Sequence, residues 1–375
     1  MLILHHIASD GWSVENLLRE LSVLYAAYRE GHPDPLPPLA LQYADYATWQ
    51  RQWLQGPRLQ GALDWWRQHL AGAPPTHGLP LDRARPPHAL RAGGSWRQAF
   101  PASLHQSLLE LSRKQGTTLF MTMHAAFAVL IARWSGNPDV VVGTPVANRP
   151  RPELAPLIGF FANTLVLRLV MEGDPSFVEV LRQAKETALD AYDRQHLPFD
   201  MLCVELNPSR SLNFAPVFQI MFSLQDIDEN AALDLPGVRA QALVPDAISA
   251  KFDLNLSLME TPHGMSACWD YCSELFDAQT IESLGASFET LLRGIVADPK
   301  QRIGQLPLLD AAGEARVLAL GNDTACAYAD NACLHTLVER QVARRPDAPA
   351  IIHEGESWSY DRLNRQANRL AHHLH

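Results

Sequence analysis

The chain has few cysteines, few charges and no long hydrophobic run, and each scarcity removes a class of protein. Five cysteines, Cys203, Cys268, Cys272, Cys326 and Cys333, are scattered through 375 residues. None belongs to a C-x-x-C pair, and the odd number excludes a fully paired disulfide framework. They are expected as buried small apolar side chains in a reducing, cytoplasmic setting. Cys268 and Cys272, an even number of residues apart, would share one face of a strand. Charged residues make up 19%, below the roughly 25% usual in soluble domains. Lys and Arg total 31 against 41 Asp and Glu, a net charge of −10. Phosphate contacts need a basic excess, so no nucleic-acid partner is expected. No apolar run approaches the ~18 residues of a spanning helix, so no membrane partner is expected. Met1-Leu2-Ile3-Leu4 is apolar but lacks a basic flank and runs straight into His5-His6. It reads as an interior strand rather than a signal peptide, which implies that the front of a domain is missing.

What is present is a sizeable core and many chain reversals. Hydrophobic residues are 47% and prolines number 27; the length allows two or three domains at roughly 100–200 residues each. After the first strand, Ser13 is placed to cap a helix in which Val14, Leu17, Leu18, Leu21, Leu24, Tyr25 and Tyr28 recur at helical spacing. Helices are expected around Tyr43–Gln55 and Leu59–Leu70, followed by a Pro-rich connection over Ala73–Pro87. From Ser95 the pattern is α/β. Strands are expected at Trp96–Phe100, Val140–Val142, Thr164–Val170, Val217–Leu224, Phe252–Leu258 and Met265–Tyr271. Helices are expected at Leu104–Lys114, Leu119–Trp134, Phe177–Tyr192 and Ile281–Val296. The helix after Thr118 is apolar on nearly every side and should be buried. Pro299–Asn322 reads as a linker with a short helical patch. A second α/β start follows, with a helix at Leu334–Arg344, a strand at Ala350–His353, a turn at Glu354-Gly355-Glu356 and a helix from Tyr360 onward.

The segment with the most chemistry is His5-His6-Ile7-Ala8-Ser9-Asp10-Gly11. On an extended segment adjacent side chains point to opposite faces, so His5 and His6 should have different roles and form a poor metal pair. No metal site is expected. A histidine at a strand end beside an aspartate suits general base catalysis, because imidazole titrates near neutral pH. Gly11 would permit a tight turn that a side chain blocks. On the residues alone, two structural histidines and an Asp-Gly turn fit equally well.

This segment resembles the HHxxxDG motif of condensation domains in nonribosomal peptide synthetases. Further matches follow in the family's order. Tyr43-Ala44-Asp45-Tyr46-Ala47-Thr48-Trp49 resembles YxDYAxW, and Gly143–Arg149 resembles GxPxxxR. Ile158-Gly159-Phe160-Phe161-Ala162-Asn163-Thr164 resembles IGxFVNT, and Gln195–Asp200 resembles Q-x-x-PFE. Asn207-Pro208-Ser209-Arg210 with Pro216–Gln219 resembles the last motif, in which Ser211 and Phe214 stand where the family has aspartate and arginine; Arg194 stands where it has His or Asn. Asp10-Gly11-Trp12-Ser13 is similar to the subtype that joins two L-residues. Leu334–Gln341, Pro346–Ala350 and Trp358–Asn364 resemble the opening of an adenylation (AMP-binding) domain, without its phosphate loop, so no complete ATP site is expected.

The resemblance implies an α/β (α+β), chloramphenicol-acetyltransferase-like fold of two lobes with a tunnel between them, the first lobe truncated. Residues 1–300 would be the condensation domain, 301–322 a linker and 323–375 an adenylation stub. The implied reaction is amide formation between an acyl or peptidyl thioester donor and an aminoacyl thioester acceptor. Both arrive on 4'-phosphopantetheine arms of upstream and downstream peptidyl carrier proteins, with the adenylation domain in cis and no directly bound cofactor. His6 would be the general base or amine-positioning group facing the tunnel, and His5 would support the loop. Asp10 would pair with Arg149, and Gly11 would shape the turn or help hold the oxyanion. Asn163 would line or brace the tunnel, with a strand-start cap as its plainer role. Trp12, Tyr43, Tyr46, Trp49 and the remaining histidines are expected as packing or surface residues. The competing expectations are an inactive remnant of a synthetase, with exposed apolar surface where the first lobe is absent, and a stand-alone acyltransferase using CoA thioesters.

Overall fold

The computed structural model describes residues 3–87, 92–206, 214–225, 233–238, 248–261, 263–324 and 333–375. Met1, Leu2, Asn207–Arg210, Ser211 and Cys326, named above, lie outside them. The chain divides into two compact units, Met1–Ala311 and Ala312–His375.

In the first unit, a turn of 3₁₀ helix at His6–Ala8 leads into α1 (Gly11–Arg29), followed by α2 (Tyr43–Trp53) and α3 (Gly56–His69). Then come β1 (Ala92–Pro101), α4 (Ala102–Gln115), α5 (Leu119–Ser135), β2 (Asp139–Val146), β3 (Asn163–Val170), α6 (Phe177–Tyr192) and α7 (Phe199–Leu206). The unit closes with β4 (Ile220–Gln225), β5 (Ile248–Ser249), β6 (Leu254–Thr261), β7 (Gly264–Cys272) and α8 (Ala278–Ala297). One seven-stranded sheet runs β3-β2-β4-β6-β7-β1-β5. β2, β4 and β6 are mutually parallel, and the remaining pairs are antiparallel.

Strand periodicity decides which residues meet the main core. Ile220 and Phe222, then Leu254, Leu256 and Leu258, then Ala267, Trp269 and Tyr271 alternate onto one face. There they pack against α4, α5, α6 and α8. α5 is buried along nearly its whole length, as its apolar surface requires; Thr118 Oγ1 caps its start, and Gly136 ends it in the left-handed region at φ 70°. On the other sheet face, toward β2 and β3, Val141, Leu165, Leu167 and Phe218 form a second cluster with Leu63 and Trp66 of α3 and Leu202 of α7.

Several expectations change. Ile3 and Leu4 are not a strand; no strand among the described residues pairs with them, and Ile3 is exposed. Asp10, not Ser13, caps α1. α7 and β5 were not foreseen, since a Pro-Phe start and a two-residue bridge carry little periodic signal. Ile303 and Leu306 are buried in the main core, and Ser176 bridges Arg302, so the start of the expected linker is part of the body. Of the described cysteines only Cys272 is buried; Cys203 and Cys268 are half-buried and Cys333 is exposed. Cys268 sits on the polar side of β7 beside Ser95 rather than in apolar packing. Leu21, Val23, Tyr25 and Tyr28 of α1 are exposed.

The second unit contains α9 (Ala311–Asn322), α10 (Leu334–Arg344), a hairpin of β8 (Pro349–His353) and β9 (Glu356–Ser359), and α11 (Tyr360–Leu374). Glu354 and Gly355 both have positive φ, the conformation that a two-residue hairpin turn needs. Ser359 caps α11. Among the described residues no single helix is long and apolar enough to cross a membrane.

Candidate active site

The histidine segment is not extended throughout. His5 is extended and N-caps the short 3₁₀ turn, in which His6 is the first residue. The two rings therefore part because of a turn, not because of strand alternation. The amide of Ile7 donates to His5 Nδ1 at 3.1 Å. His6 Nδ1 lies 2.7 Å from the carbonyl of Ser9. A carbonyl only accepts, so the neutral His6 ring carries its proton on Nδ1 and has its lone pair on Nε2. The ring is exposed and meets Phe160 edge-on, with centroids 4.8 Å apart.

What holds this turn is the buried Asp10 carboxylate. Its Oδ1 accepts from the Ser13 amide at 2.8 Å, capping α1, and lies 2.7 Å from Ser13 Oγ. Its Oδ2 accepts from the amides of Phe161 and Ala162 at 2.9 and 3.1 Å. Arg149 Nη2 lies 3.3 Å from Oδ1, with both side chains buried. Burial alone would raise this carboxyl. The Ser13 and Phe161 hydrogen bonds and the Arg149 charge outweigh it and hold the group below the ordinary carboxylate range. Asp10 thus ties the start of α1 to the strand-entry loop 158–162.

Arg149 is a partner of Asp10 and a clamp as well. Its Nη1 donates to the carbonyls of Leu154 and Leu157, and its Nη2 donates to Ser13 Oγ at 2.8 Å. Its guanidinium stacks over the Phe161 ring, 4.0 Å from the centroid. Burial pulls it below its ordinary basicity and Asp10 opposes that; arginine stays cationic throughout.

Ser13 and Asn16 were not singled out as site residues from sequence. Ser13 Oγ sits 2.7 Å from the Gly159 carbonyl and accepts from the Gly159 amide at 3.1 Å. Its single proton serves Asp10 or Gly159, one at a time. Asn16 Nδ2 donates to Ala155 O at 2.7 Å. Two polar side chains three apart share one face of a helix, and both are buried while much of the apolar surface of α1 is exposed. That inversion is visible only in the fold, so the sequence carried no signal for these two residues. Gly159 also allows the Tyr43 ring to lie where a Cβ would project, and Tyr43 Oη donates to the Phe160 carbonyl. Tyr46 is buried against Phe161, and Trp12 Nε1 donates to Ala155 O. These aromatic residues brace the loop, each within the packing role expected for it.

Gly11 requires correction. It is the first residue of α1, has no left-handed φ, and a Cβ there would meet nothing within 4 Å. No tight turn demands glycine there. Its amide, at a helix start, has no intrahelical acceptor.

Asn163 staples a neighbouring loop. Its Nδ2 donates to the carbonyls of Gln195 and Leu197 at 2.8 and 2.7 Å, and its Oδ1 accepts from the Phe199 amide at 3.0 Å. The Q-x-x-P-F segment is thereby fixed to the start of β3. Among the described residues no cluster of three or more His, Cys, Asp or Glu side chains is placed to hold a metal ion.

Comparisons with known proteins give the family. The Condensation domain family profile matches residues 1–318. The chain is 44% identical to one of the linear gramicidin synthase proteins of Brevibacillus parabrevis over 376 residues, covering 100% of this chain and 7% of that protein. It is 41% identical to the phosphinothricin tripeptide synthetase PhsC of Streptomyces viridochromogenes, covering 100% of this chain and 34% of that one. The chain thus spans a small part of these relatives. Among solved structures, the X-domain from teicoplanin biosynthesis superposes with a TM-score of 0.75 at 31% identity, covering 82% of this chain and 71% of that one. A four-domain nonribosomal peptide synthetase, AB3403, shares the fold with a TM-score of 0.78 at 22% identity, covering 99% of this chain and 29% of that one. The chain therefore belongs to the condensation domain family of nonribosomal peptide synthetases.

Proposed function

We propose that this chain supplies the amide-forming step of a peptide synthetase, with His6 as the group that orients the acceptor amine or takes its proton. The observation that carries this reading is the His6–Ser9 hydrogen bond, which commits Nδ1 and leaves Nε2 as the basic nitrogen on an exposed ring. The amine nitrogen attacks the donor thioester carbon. The C–N bond forms first, with the carbonyl electron pair moving onto oxygen; collapse of that oxyanion breaks the C–S bond, and the amine's proton passes by way of His6 Nε2 to the departing thiolate. The first-turn amide of Gly11, without a hydrogen-bond partner among the described residues, is a candidate donor to the developing oxyanion. His5, Asp10, Ser13 and Arg149 act as positioning residues for this turn, and Asn163 positions the loop beside it. Holding both reactants on carrier arms converts a bimolecular encounter into a positioned one, which supplies several kcal/mol.

The same reading assigns donor and acceptor to 4'-phosphopantetheine arms of upstream and downstream peptidyl carrier domains, in the cytoplasm, with no cofactor bound directly. It assigns the first unit, whose core includes Ile303 and Leu306, to the condensation domain, and residues 323–375 to the opening of an adenylation domain in cis. Relatives that match 100% of the chain, beyond residue 318 where the family profile stops, support a tail that belongs to a further synthetase domain. Joining of two L-configured residues is proposed from Asp10-Gly11-Trp12-Ser13.

The test is His6→Asn. The carboxamide nitrogen stands in for Nδ1 and keeps the bond to Ser9, while nothing replaces Nε2. In the polypeptide that carries this chain, amide formation between loaded carriers should fall by about 100-fold or more, with thermal stability unchanged. Retention of wild-type rates would remove His6 from the chemistry.

A further inference from the structure

One hydrogen bond fixes a single point on a ring. His6 is anchored through Nδ1, and Ser9 is the ring's sole hydrogen-bond partner among the described residues. Such a bond weakens steeply only when its angle falls below about 120°, so it lets the ring tilt. Nε2 lies on the far side of the ring from the anchor and moves furthest. In a reacting pair a misplacement of about 1 Å can cost about 100-fold in rate. A nitrogen that must meet an amine therefore needs a second constraint on its ring.

Phe160 is placed to give it. The two ring centroids are 4.8 Å apart and the planes lie at 66°. Pairs in this geometry attract beyond the area that they bury. The next residue, Phe161, turns inward and packs on Tyr43 and Tyr46. Phe160 stays exposed, and His6 is its sole aromatic partner among the described residues. Burial therefore accounts for Phe161 and not for Phe160.

The backbone that carries Phe160 is held on both sides. Ser13 Oγ accepts from the Gly159 amide and lies 2.7 Å from the Gly159 carbonyl. Tyr43 Oη donates to the carbonyl of Phe160 itself at 2.8 Å. The Phe161 and Ala162 amides donate to Asp10 Oδ2. The same Asp10 carboxylate caps the helix that follows the His6 turn. His6 and Phe160 are thus carried on two segments tied to one buried group.

We propose that Phe160 is a positioning residue of the amide-forming reaction. Its ring sets the tilt of His6 and hence the place of Nε2, and Tyr43 acts with it by holding the Phe160 carbonyl. The proposal rests on the amide-forming reading above and adds the residue that aims its nitrogen. Phe160 gives and takes no proton. Its loss lowers the rate of the chemical step and leaves the stability of the fold as it is.

The test is single-turnover amide formation in the polypeptide that carries this chain, with both carriers loaded. Phe160→Ala should slow it about tenfold or more, with the thermal unfolding midpoint unchanged. Phe160→Leu keeps apolar bulk without a ring and should be slow as well, whereas Phe160→Tyr keeps the ring and should restore most of the rate. Tyr43→Phe, which removes only the hydroxyl, should slow the reaction by less. In a His6→Asn background Phe160→Ala should add no further loss, because no Nε2 remains to be aimed. A wild-type rate in Phe160→Ala, or an equal loss with and without His6, overturns the proposal while leaving amide formation standing. If the wild type forms no amide, or His6→Asn costs nothing, the amide-forming role of His6 fails instead. NMR relaxation of the ¹³C-labelled His6 ring in this chain then decides the contact separately. The ring should be rigid in wild type and Phe160→Tyr and more mobile in Phe160→Ala; equal mobility in all three overturns the proposal.

Discussion

His5 and His6 use the same ring nitrogen in opposite senses: Nδ1 of His5 accepts the amide proton of Ile7, while Nδ1 of His6 donates to the carbonyl of Ser9. Adjacent in sequence, the two neutral rings therefore hold opposite tautomers, Nε2–H at His5 and Nδ1–H at His6. Only His6 presents a lone pair on its outer nitrogen. Two-bond ¹H–¹⁵N correlation spectra of the neutral rings should show this split directly. A His6 ring with its proton on Nε2 would contradict the geometry and remove the basis for its role.

The Asp10–Arg149 pair is a junction with more than one attachment at each end. Asp10→Asn keeps the shape and leaves the buried guanidinium without a counter-charge, so a loss of about 3 kcal/mol in urea unfolding is expected. A double-mutant cycle of Asp10→Ala with Arg149→Ala should give a coupling of at least about 1 kcal/mol. Additive losses would mean that each side chain acts only through its separate contacts with Ser13, Phe161 and Leu157.

Ser13 is the third member of that junction. Ser13→Ala removes one hydroxyl that touches Asp10, Gly159 and Arg149. The expected loss is about 1–3 kcal/mol, the range for an unsatisfied buried partner. Hydrogen exchange should accelerate at the amides of Gly159, Phe161 and Ala162, which Ser13 and Asp10 hold. Unchanged exchange there would show that the loop is fixed by Tyr43 and Tyr46 instead.

Ser13 also marks the limit of what could be read without a fold. The helices and strands of the α/β region were legible because their periodicities are long and clean; Phe177–Tyr192 and the apolar helix after Thr118 are the clearest cases. The Asp10–Arg149 contact was legible because the family resemblance singled out both residues and a buried carboxylate needs a cation. The junction residues Ser13 and Asn16 were not, since a serine after Asp-Gly-Trp reads locally as a cap. Its role depends on Gly159, 146 positions away. Gly11 misled for the opposite reason: glycine suggests a strained turn, and the structure places it in an ordinary helical start with open space above it.

Asn163 predicts a local loss of order. Asn163→Asp is isosteric but puts a carboxylate oxygen against the carbonyls of Gln195 and Leu197, replacing two donors by a repulsive contact. A loss of about 2–3 kcal/mol is expected, with faster exchange at the Phe199 amide. Asn163→Ala should lose less, because it removes the staple without adding charge. The reverse order would indicate that the Phe199 contact is the dominant one.

His124 supplies a pH dependence remote from the proposed chemistry. It lies on α5 between Phe120 and Phe222, is fully buried, and neither ring nitrogen has a hydrogen-bond partner among the described residues. Burial pulls its pKa down to about 4. An unfolded histidine titrates near 6.5, so between these values the unfolded chain binds the proton and the folded chain does not. The stability associated with neutral His124 is therefore full above about pH 6.5. It declines as the pH falls and levels off below about pH 4, with a total on the order of 3 kcal/mol. His124→Leu removes the titrating group and both unpartnered nitrogens while keeping an apolar side chain in the gap. Urea unfolding at pH 7.5 should change by less than about 1.5 kcal/mol, and the difference from wild type should shift in the variant's favour by about 3 kcal/mol at pH 4. Parallel pH profiles for the two proteins would mean that acid sensitivity arises elsewhere, with the protonation of Asp10 and Asp253, both held below the ordinary carboxylate range, the next groups to test.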